Sequence, residues 1–302
     1  MRIRAYKYED GPAVISLWNE CLPPDLVDEN NFYKRVICDV NFDPALFLLA
    51  EEANEIVGFA YGVALKADDA WIVAMGVKQI CRRKGFGKAL LSELETALAQ
   101  RGAKKISLGP YPKNYFFPGV DQDSYAAGIE FFKACGYNES STCVSMDLNL
   151  RGYQTPQKYV EKREELLKEG YTFDPFRLQD SAPLLAFMSE HFPHWLDNMR
   201  ESILMDRAEK TVIIARTPEK EICGFVMRSM DGTPERFGPF GVASSLQGKG
   251  LGGLLFHEMM NSMIRARIFY TYFLWTGGRN IDIYSAWNMK VYRRYSMMGR
   301  EL

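Results

Sequence analysis

The sequence predicts an α+β fold built twice over, each half a mostly antiparallel mixed sheet flanked by helices. Three observations predict it. A glycine-rich run, VKQICRRKGFG at Val77 to Gly87, recurs as VASSLQGKGLG at Val242 to Gly252, a constant 165 residues later. Each copy follows an apolar strand-like stretch and precedes an apolar helix-like one, and repetition in matching context marks an internal duplication. At 302 residues the chain has room for about two domains, each able to bury its own core.

The first copy opens with the extended IRAYKY, after which Asp10 starts an amphipathic helix with Val14, Leu17 and Trp18 at helical spacing. Strands follow at LFLLAEE, IVGFAYGVAL and AWIVAMGV, and Asn54 marks a hairpin turn between the first two. Beyond the glycine run come the helix GKALLSELETALAQ, the strand KKISLG, the helix YAAGIEFFKACGY and a strand near TCVSMDLNL. The charged TPQKYVEKREELLKEG reads as a solvated connecting helix.

The second copy repeats the order. YTFDPFR is its first strand, Asp180 opens its first helix, and TVIIAR, EICGFVMRSM and ERFGPFGV are strands leading to the second glycine run. The helix GLLFHEMMNSMIRA, the strand FYTYFLW and a helix over SAWNMKVYRRYSMMG complete it. The expected division is a first domain over 1–150, a linker over 151–170 and a second domain over 171–302.

Composition narrows the function. Hydrophobic residues make up 47% and charged residues 25%, a globular balance that argues against extensive disorder. A net charge of −1 gives no basic field for a polyanion, so nucleic acid is not an expected partner. The start, MRIRAYKYEDG, lacks the apolar core of a signal peptide and no run reaches the roughly 20 apolar residues of a membrane span, so a cytoplasmic location is expected. Six scattered cysteines form no CxxC pair, and Pro193 between His191 and His194 argues against a shared helical face. No metal site is expected.

The glycine runs carry the chemistry. A helix N-terminus leaves backbone N–H groups unpaired and bears about half a positive charge, which suits a diphosphate, and glycine lets that backbone approach the oxygens. A plain tight turn into a helix would account for one copy, and duplication weakens that account. Gly248, Gly250 and Gly253 satisfy GxGxxG formally, but they follow several strands and no acid lies near Tyr272 to Trp275 as a dinucleotide fold requires. Neither run ends in GK[ST], which disfavours a nucleoside triphosphate site.

The pattern [QR]xxGx[GA], with a valine-bearing strand before it and a helix after it, resembles the acetyl-CoA-binding signature of GNAT acyltransferases. The resemblance implies tandem GNAT domains in an order similar to mycothiol synthase, and an N-acetyltransferase that takes acetyl-CoA and a small amine or peptide amine. It implies that Gln247, Gly248, Lys249, Gly250, Leu251 and Gly252 hold the pyrophosphate while the strand through Phe240 and Val242 offers its backbone to the pantetheine arm. Val77, Arg82, Arg83, Gly85 and Gly87 are the corresponding residues of the first copy.

In the family an Asn and a Tyr lie on the helix after the fifth strand. NMKVYRRYSMMG sets Asn288 seven before Tyr295 and Tyr295 four before Gly299, which on a helix would put both side chains on one face. The first copy has Tyr125 and Phe132 at those places. The expectation is therefore that the C-terminal copy is catalytic, with Tyr295 as the acid that protonates the departing thiolate, and that the N-terminal copy is degenerate. Tyr295 is also one of 16 tyrosines, and a protein that binds acyl-CoA without transferring it is the competing class. The loop GPYPKNYFFPGVD is either a substrate loop or a packed one, with Tyr115, Phe116 and Phe117 at a core edge. Only three residues follow Gly299, so the second copy is expected to lack closing strands.

Overall fold

The computed structural model describes residues 1–65, 68–112 and 116–302; Tyr115 lies outside them. The strands in chain order are β1 (Arg2–Ala5), β2 (Phe47–Glu52), β3 (Glu55–Ala64), β4 (Asp69–Val77), β5 (Lys105–Leu108), β6 (Val120–Asp121), β7 (Asn138–Asn149), β8 (Thr172–Pro175), β9 (Val212–Arg216), β10 (Ile222–Arg228), β11 (Phe237–Val242), β12 (Tyr270–Thr276) and β13 (Lys290–Glu301). The helices are α1 (Gly11–Cys21), α2 (Glu29–Phe32), α3 (Phe86–Ala99), α4 (Ala126–Ala134), α5 (Gln157–Lys168), α6 (Ser181–His191), α7 (Leu196–Leu204), α8 (Ala208–Thr211), α9 (Leu251–Arg265) and α10 (Arg279–Ala286). The chain forms two compact units. One comprises Met1–Val144, Leu274–Gly278 and Arg293–Leu302, the other Ser145–Phe273 and Arg279–Tyr292.

The first unit is a sheet in the order β1-β2-β3-β4-β5-β13-β7, continued by the Leu274–Thr276 end of β12. Strands β1 to β4 are antiparallel, and β4 to β5 is parallel. Ala53 and Asn54 both have positive φ, 51° and 66°, the primed turn that a two-residue hairpin loop needs. Strand β3 feeds two cores: Ala60, with Val57 brought to the same side by the register shift opposite Ala50 and Glu51, faces α3 and α4 with Leu90, Leu91, Leu94 and Ile129, while Phe59, Tyr61 and Val63 face α1 with Val14, Leu17 and Trp18. Phe117 stacks on Trp18 with centroids 6.4 Å apart, and Phe116 meets it tilted at 5.3 Å. The described part of the aromatic loop is thus a packed core edge.

The last strand corrects the expectation of a helix over SAWNMKVYRRYSMMG. Helix α10 stops at Ala286 because Asn288 turns left-handed at φ 67°, and the chain then runs out as β13. Burial from Lys290 to Tyr295 alternates between exposed and more buried, the period of a strand. In the first unit β13 lies antiparallel to β5, pairing Met298 with Leu108 and Glu301 with Lys105. Gly299 is no helix stop: a Cβ there would meet the Ile106 carbonyl oxygen at 2.9 Å.

In the second unit β8, β9, β10 and β11 form an antiparallel sheet in that reverse order. Phe187, Met188, Ile214, Phe225 and Met227 fill one face. Leu254, Leu255, Met259 and Met263 of α9 are buried. No helix among the described residues is long and apolar enough to cross a bilayer.

Candidate functional site

Both glycine runs fold to one backbone shape. Arg82 and Gln247 are extended, with ψ 156° and 149°; Arg83 and Gly248 follow at φ 63° and 87°; Gly85 and Gly250 cap the helices at φ 93° and 86°. Such positive φ costs glycine little and other residues more, which explains the glycines. The first intrahelical bonds run from Ala89 N–H to the Gly85 carbonyl and from Leu254 N–H to the Gly250 carbonyl. The amides of Phe86, Gly87 and Lys88, and of Leu251, Gly252 and Gly253, are therefore the helix donors left without intrahelical partners.

Each run also follows a strand that leaves its neighbour. Strand β4 pairs with β5 only from Asp69 to Ile72, so Val73 to Val77 have no ladder partner on that side among the described residues. In the second unit a single parallel bridge joins Arg236 to Tyr272, and Phe240 and Val242 lie beyond it. An open parallel edge ending at a cluster of free amides can take an extended chain that ends in a diphosphate.

The surroundings separate the two copies. In the first, Arg82, Arg83, Lys84, Gly85 and Lys88 are exposed, and a Cβ at Gly85 would meet nothing within 4 Å. Arg82 Nε donates to the Val77 carbonyl at 3.0 Å, which folds the loop back on its strand. At Gly87 the nearest side chain is Phe131, 3.5 Å from a Cβ.

In the second copy, helix α5 packs on the first turn of α9, contrary to its reading as a solvated linker. A Cβ at Gly253 would overlap the Tyr159 ring, and one at Gly250 would sit 3.4 Å from Lys162 Cγ. Trp287 Nε1 donates to the Tyr159 hydroxyl at 2.7 Å, and the Tyr159 ring lies 4.1 Å from that of His257. What remains is an open cavity of about 250 Å³ lined by Lys158, Tyr159, Lys162, Gly248, Lys249 and Gly250. Gln247 and Lys249 are exposed, Lys249 donating to the Tyr171 hydroxyl at 3.2 Å, and the Leu251 side chain is in the core.

The expected Asn288 and Tyr295 pair is not assembled. Asn288 is an exposed turn residue of the second unit; Tyr295 is 1% exposed on β13 in the first, opposite Asp121 and with the Arg293 guanidinium 5.1 Å from its ring centroid. The helix face that was to join them does not exist.

A different tyrosine holds the position that spacing sought. Helix α4 ends at Ala134 before left-handed Gly136, and α10 ends at Ala286 before left-handed Asn288. Tyr284 stands four before Asn288 as Phe132 stands four before Gly136. Its half-buried ring lies 4.5 Å from Phe273, 6.0 Å from Phe240 and 5.6 Å from Trp287, and burial pushes its hydroxyl pKa up. Aligning ACGY with AWNM would have found it in the sequence.

A sheet opened beside a helix-capping amide cradle, present twice, defines a class of acyl-transfer fold, and known proteins match it. The model of the Acetyltransferase (GNAT) family matches residues 11–137. An acetyltransferase of Sodalis glossinidius (strain morsitans) is 36% identical over 110 residues, covering 36% of this chain and 74% of that protein. The glucosamine N-acetyltransferase region of a fungal multi-domain GH3 β-N-acetylglucosaminidase superposes with a TM-score of 0.84 at 20% identity over 99% of this chain; the chain spans 38% of that protein. A tandem GNAT protein of the clavulanic acid biosynthesis pathway superposes at 0.67 with 14% identity over 99% of this chain and 98% of that one.

The chain belongs to the GNAT acetyltransferase family. It is an N-acetyltransferase with the fold in tandem.

Proposed function

We propose that the protein transfers an acetyl group from acetyl-CoA to a primary amine, and that the N-terminal copy binds the donor. One observation carries the choice of copy: Gly85 and Lys88 at the start of α3 are exposed, whereas Gly253, the counterpart of Lys88 on α9, is packed under the Tyr159 ring. This replaces the expectation of a catalytic C-terminal copy, whose support was the helix face between Asn288 and Tyr295 together with Tyr125 and Phe132 at those places in the first copy.

In this reading Arg82, Arg83, Gly85 and Gly87 receive the pyrophosphate, with Lys84 and Lys88 adding charge, and the free edge of β4 up to Val77 pairs with the pantetheine arm. A neutral amine attacks the thioester carbonyl, and N–H groups on that edge hold the developing oxyanion. The C–N bond forms, the C–S bond breaks, and the proton lost by nitrogen passes to the thiolate. Phe132 has no proton to give. A departing thiol with a pKa near that of cysteine, about 8.5, needs only weak assistance. The six free cysteines fit a reducing compartment such as the cytoplasm.

The test is a matched pair of carboxylates. Gly87→Glu and Gly252→Glu each put a negative charge in the first turn of a helix, which favours the helix and opposes a phosphate. Calorimetry with acetyl-CoA should lose at least tenfold in affinity in Gly87→Glu at unchanged or raised Tm, with Gly252→Glu like the wild type. The reverse pattern would return the donor to the second copy.

A further inference from the structure

The second copy keeps what its cradle needs: the left-handed glycines, the divergence of β11 from β12, and Tyr284 beside Phe240. The first turn of its helix is nevertheless packed against α5 of the same unit. Tyr159 occupies the space against Gly253, the third residue of α9, and Lys162 lies along Gly250. The equivalent of Gly253 in the first copy, 165 residues earlier, is the exposed Lys88, so glycine at 253 is what admits the ring. Tyr159 further spans to Trp287, beyond the end of α10, and its ring lies tilted against that of His257 of α9.

The dock of α5 is that of a strap. Leu166 is its one buried residue, and much of its attachment is polar: Arg163 Nε to Glu258 at 2.5 Å and the Tyr159 hydroxyl to Trp287. Just before it, Asn261 Nδ2 donates to Thr155 Oγ1 at 3.0 Å. A helix held this way exposes little apolar surface when it lifts, so its opening costs less than unfolding the unit. Its Lys158 and Lys162 line the cavity with Lys249, and Lys162 Nζ donates to Glu165 at 2.8 Å.

We propose that α5 is an internal plug of the C-terminal acetyl-CoA site, with the Tyr159 ring standing where the pyrophosphate would bind. The second copy is a latent donor site, opened by displacement of the helix rather than lost through decay of its cradle. This accounts for an intact glycine cradle with a tyrosine ring packed against the first turn of its helix.

The test counts acetyl-CoA molecules bound by calorimetry on the full chain. Wild type and Gly252→Glu should each bind one. Tyr159→Ala should bind two, and Tyr159→Ala with Gly252→Glu should fall back to one. A wild type that loses an event on Gly252→Glu, or a folded Tyr159→Ala that gains none, overturns the plug. Should Tyr159→Ala fail to fold, Gly253→Ala serves instead: its methyl evicts the ring while raising helix propensity, a second event is expected, and a folded variant without one is equally fatal. The identification of the N-terminal copy as donor site stands or falls separately, on Gly87→Glu.

Discussion

Arg293 shows how much one side chain can hold. Its guanidinium donates to Asp25 at 2.5 and 2.8 Å and to Asp121 at 2.5 Å, and Asp25 also accepts from the Tyr125 hydroxyl at 2.6 Å. Burial acts to raise the Asp121 pKa, but the Ser124 amide and Arg293 outweigh it and hold the carboxyl below its ordinary range. Removing one partner of a buried pair leaves uncompensated charge, so Arg293→Ala should cost roughly 3–5 kcal/mol. Urea unfolding measures it, and a loss under about 1 kcal/mol would mean that the pair behaves as a surface bridge. Tyr295 lies two residues further along the strand. Its neighbours make it part of this anchor, and no spacing rule written for a helix describes it.

At the scale of elements, the strands and helices that sequence patterning located best are those with a single strong period. The α1 stripe of Val14, Leu17 and Trp18 and the α9 stripe of Leu254, Leu255 and Met259 are buried as the period requires. The end of α10 was illegible because asparagine replaced glycine at the left-handed position, and Gly299 offered a false stop. The glycine runs were legible as cradles opening a helix, while the left-handed turn at Arg83, where no glycine stands, was not. The role of α5 was not, since a charged helix with one buried leucine reads as solvated, and only the void at Gly253 shows what it covers.

The packing of α5 on α9 makes one further prediction. His257 is 2% exposed, shares a hydrogen bond with the Tyr153 hydroxyl through Nδ1, and has no partner at Nε2. Burial, with Lys158 nearby, takes its pKa down to about 4 from 6.5. Between those values the unfolded chain binds a proton that the folded one does not, so stability falls as pH falls through that window and this loss stops below about pH 4. The full difference is roughly 3 kcal/mol. Melting His257→Phe and wild type from pH 7 to 4.5 should show the gap between them shift steadily in favour of the variant, and a constant gap would show that His257 does not titrate there.

At the scale of the whole molecule, the tandem does not divide where the duplication suggests. The division expected at 150 and 171 treats each copy as self-contained, yet the residues from Arg293 onward belong to the first unit. There β13 fills the place between β5 and β7, with Met298 in the same core as Leu90 and Ile106. Arg300 reaches Glu95 at 3.2 Å and the Cys135 carbonyl at 3.0 Å, and the Leu302 N–H bonds the Lys104 carbonyl at 2.8 Å. A strand with neighbours on both sides cannot be removed without opening two edges, each a row of unpaired backbone groups. A chain ending at residue 289 should therefore lose the unfolding transition of the first unit, and acetyl-CoA binding with it. A synthetic peptide of residues 290–302 should restore both, because it returns the ladder to β5 and the ion pairs of Arg293 and Arg300. Undiminished melting and binding in the shortened chain would show that the first copy closes its sheet without this strand.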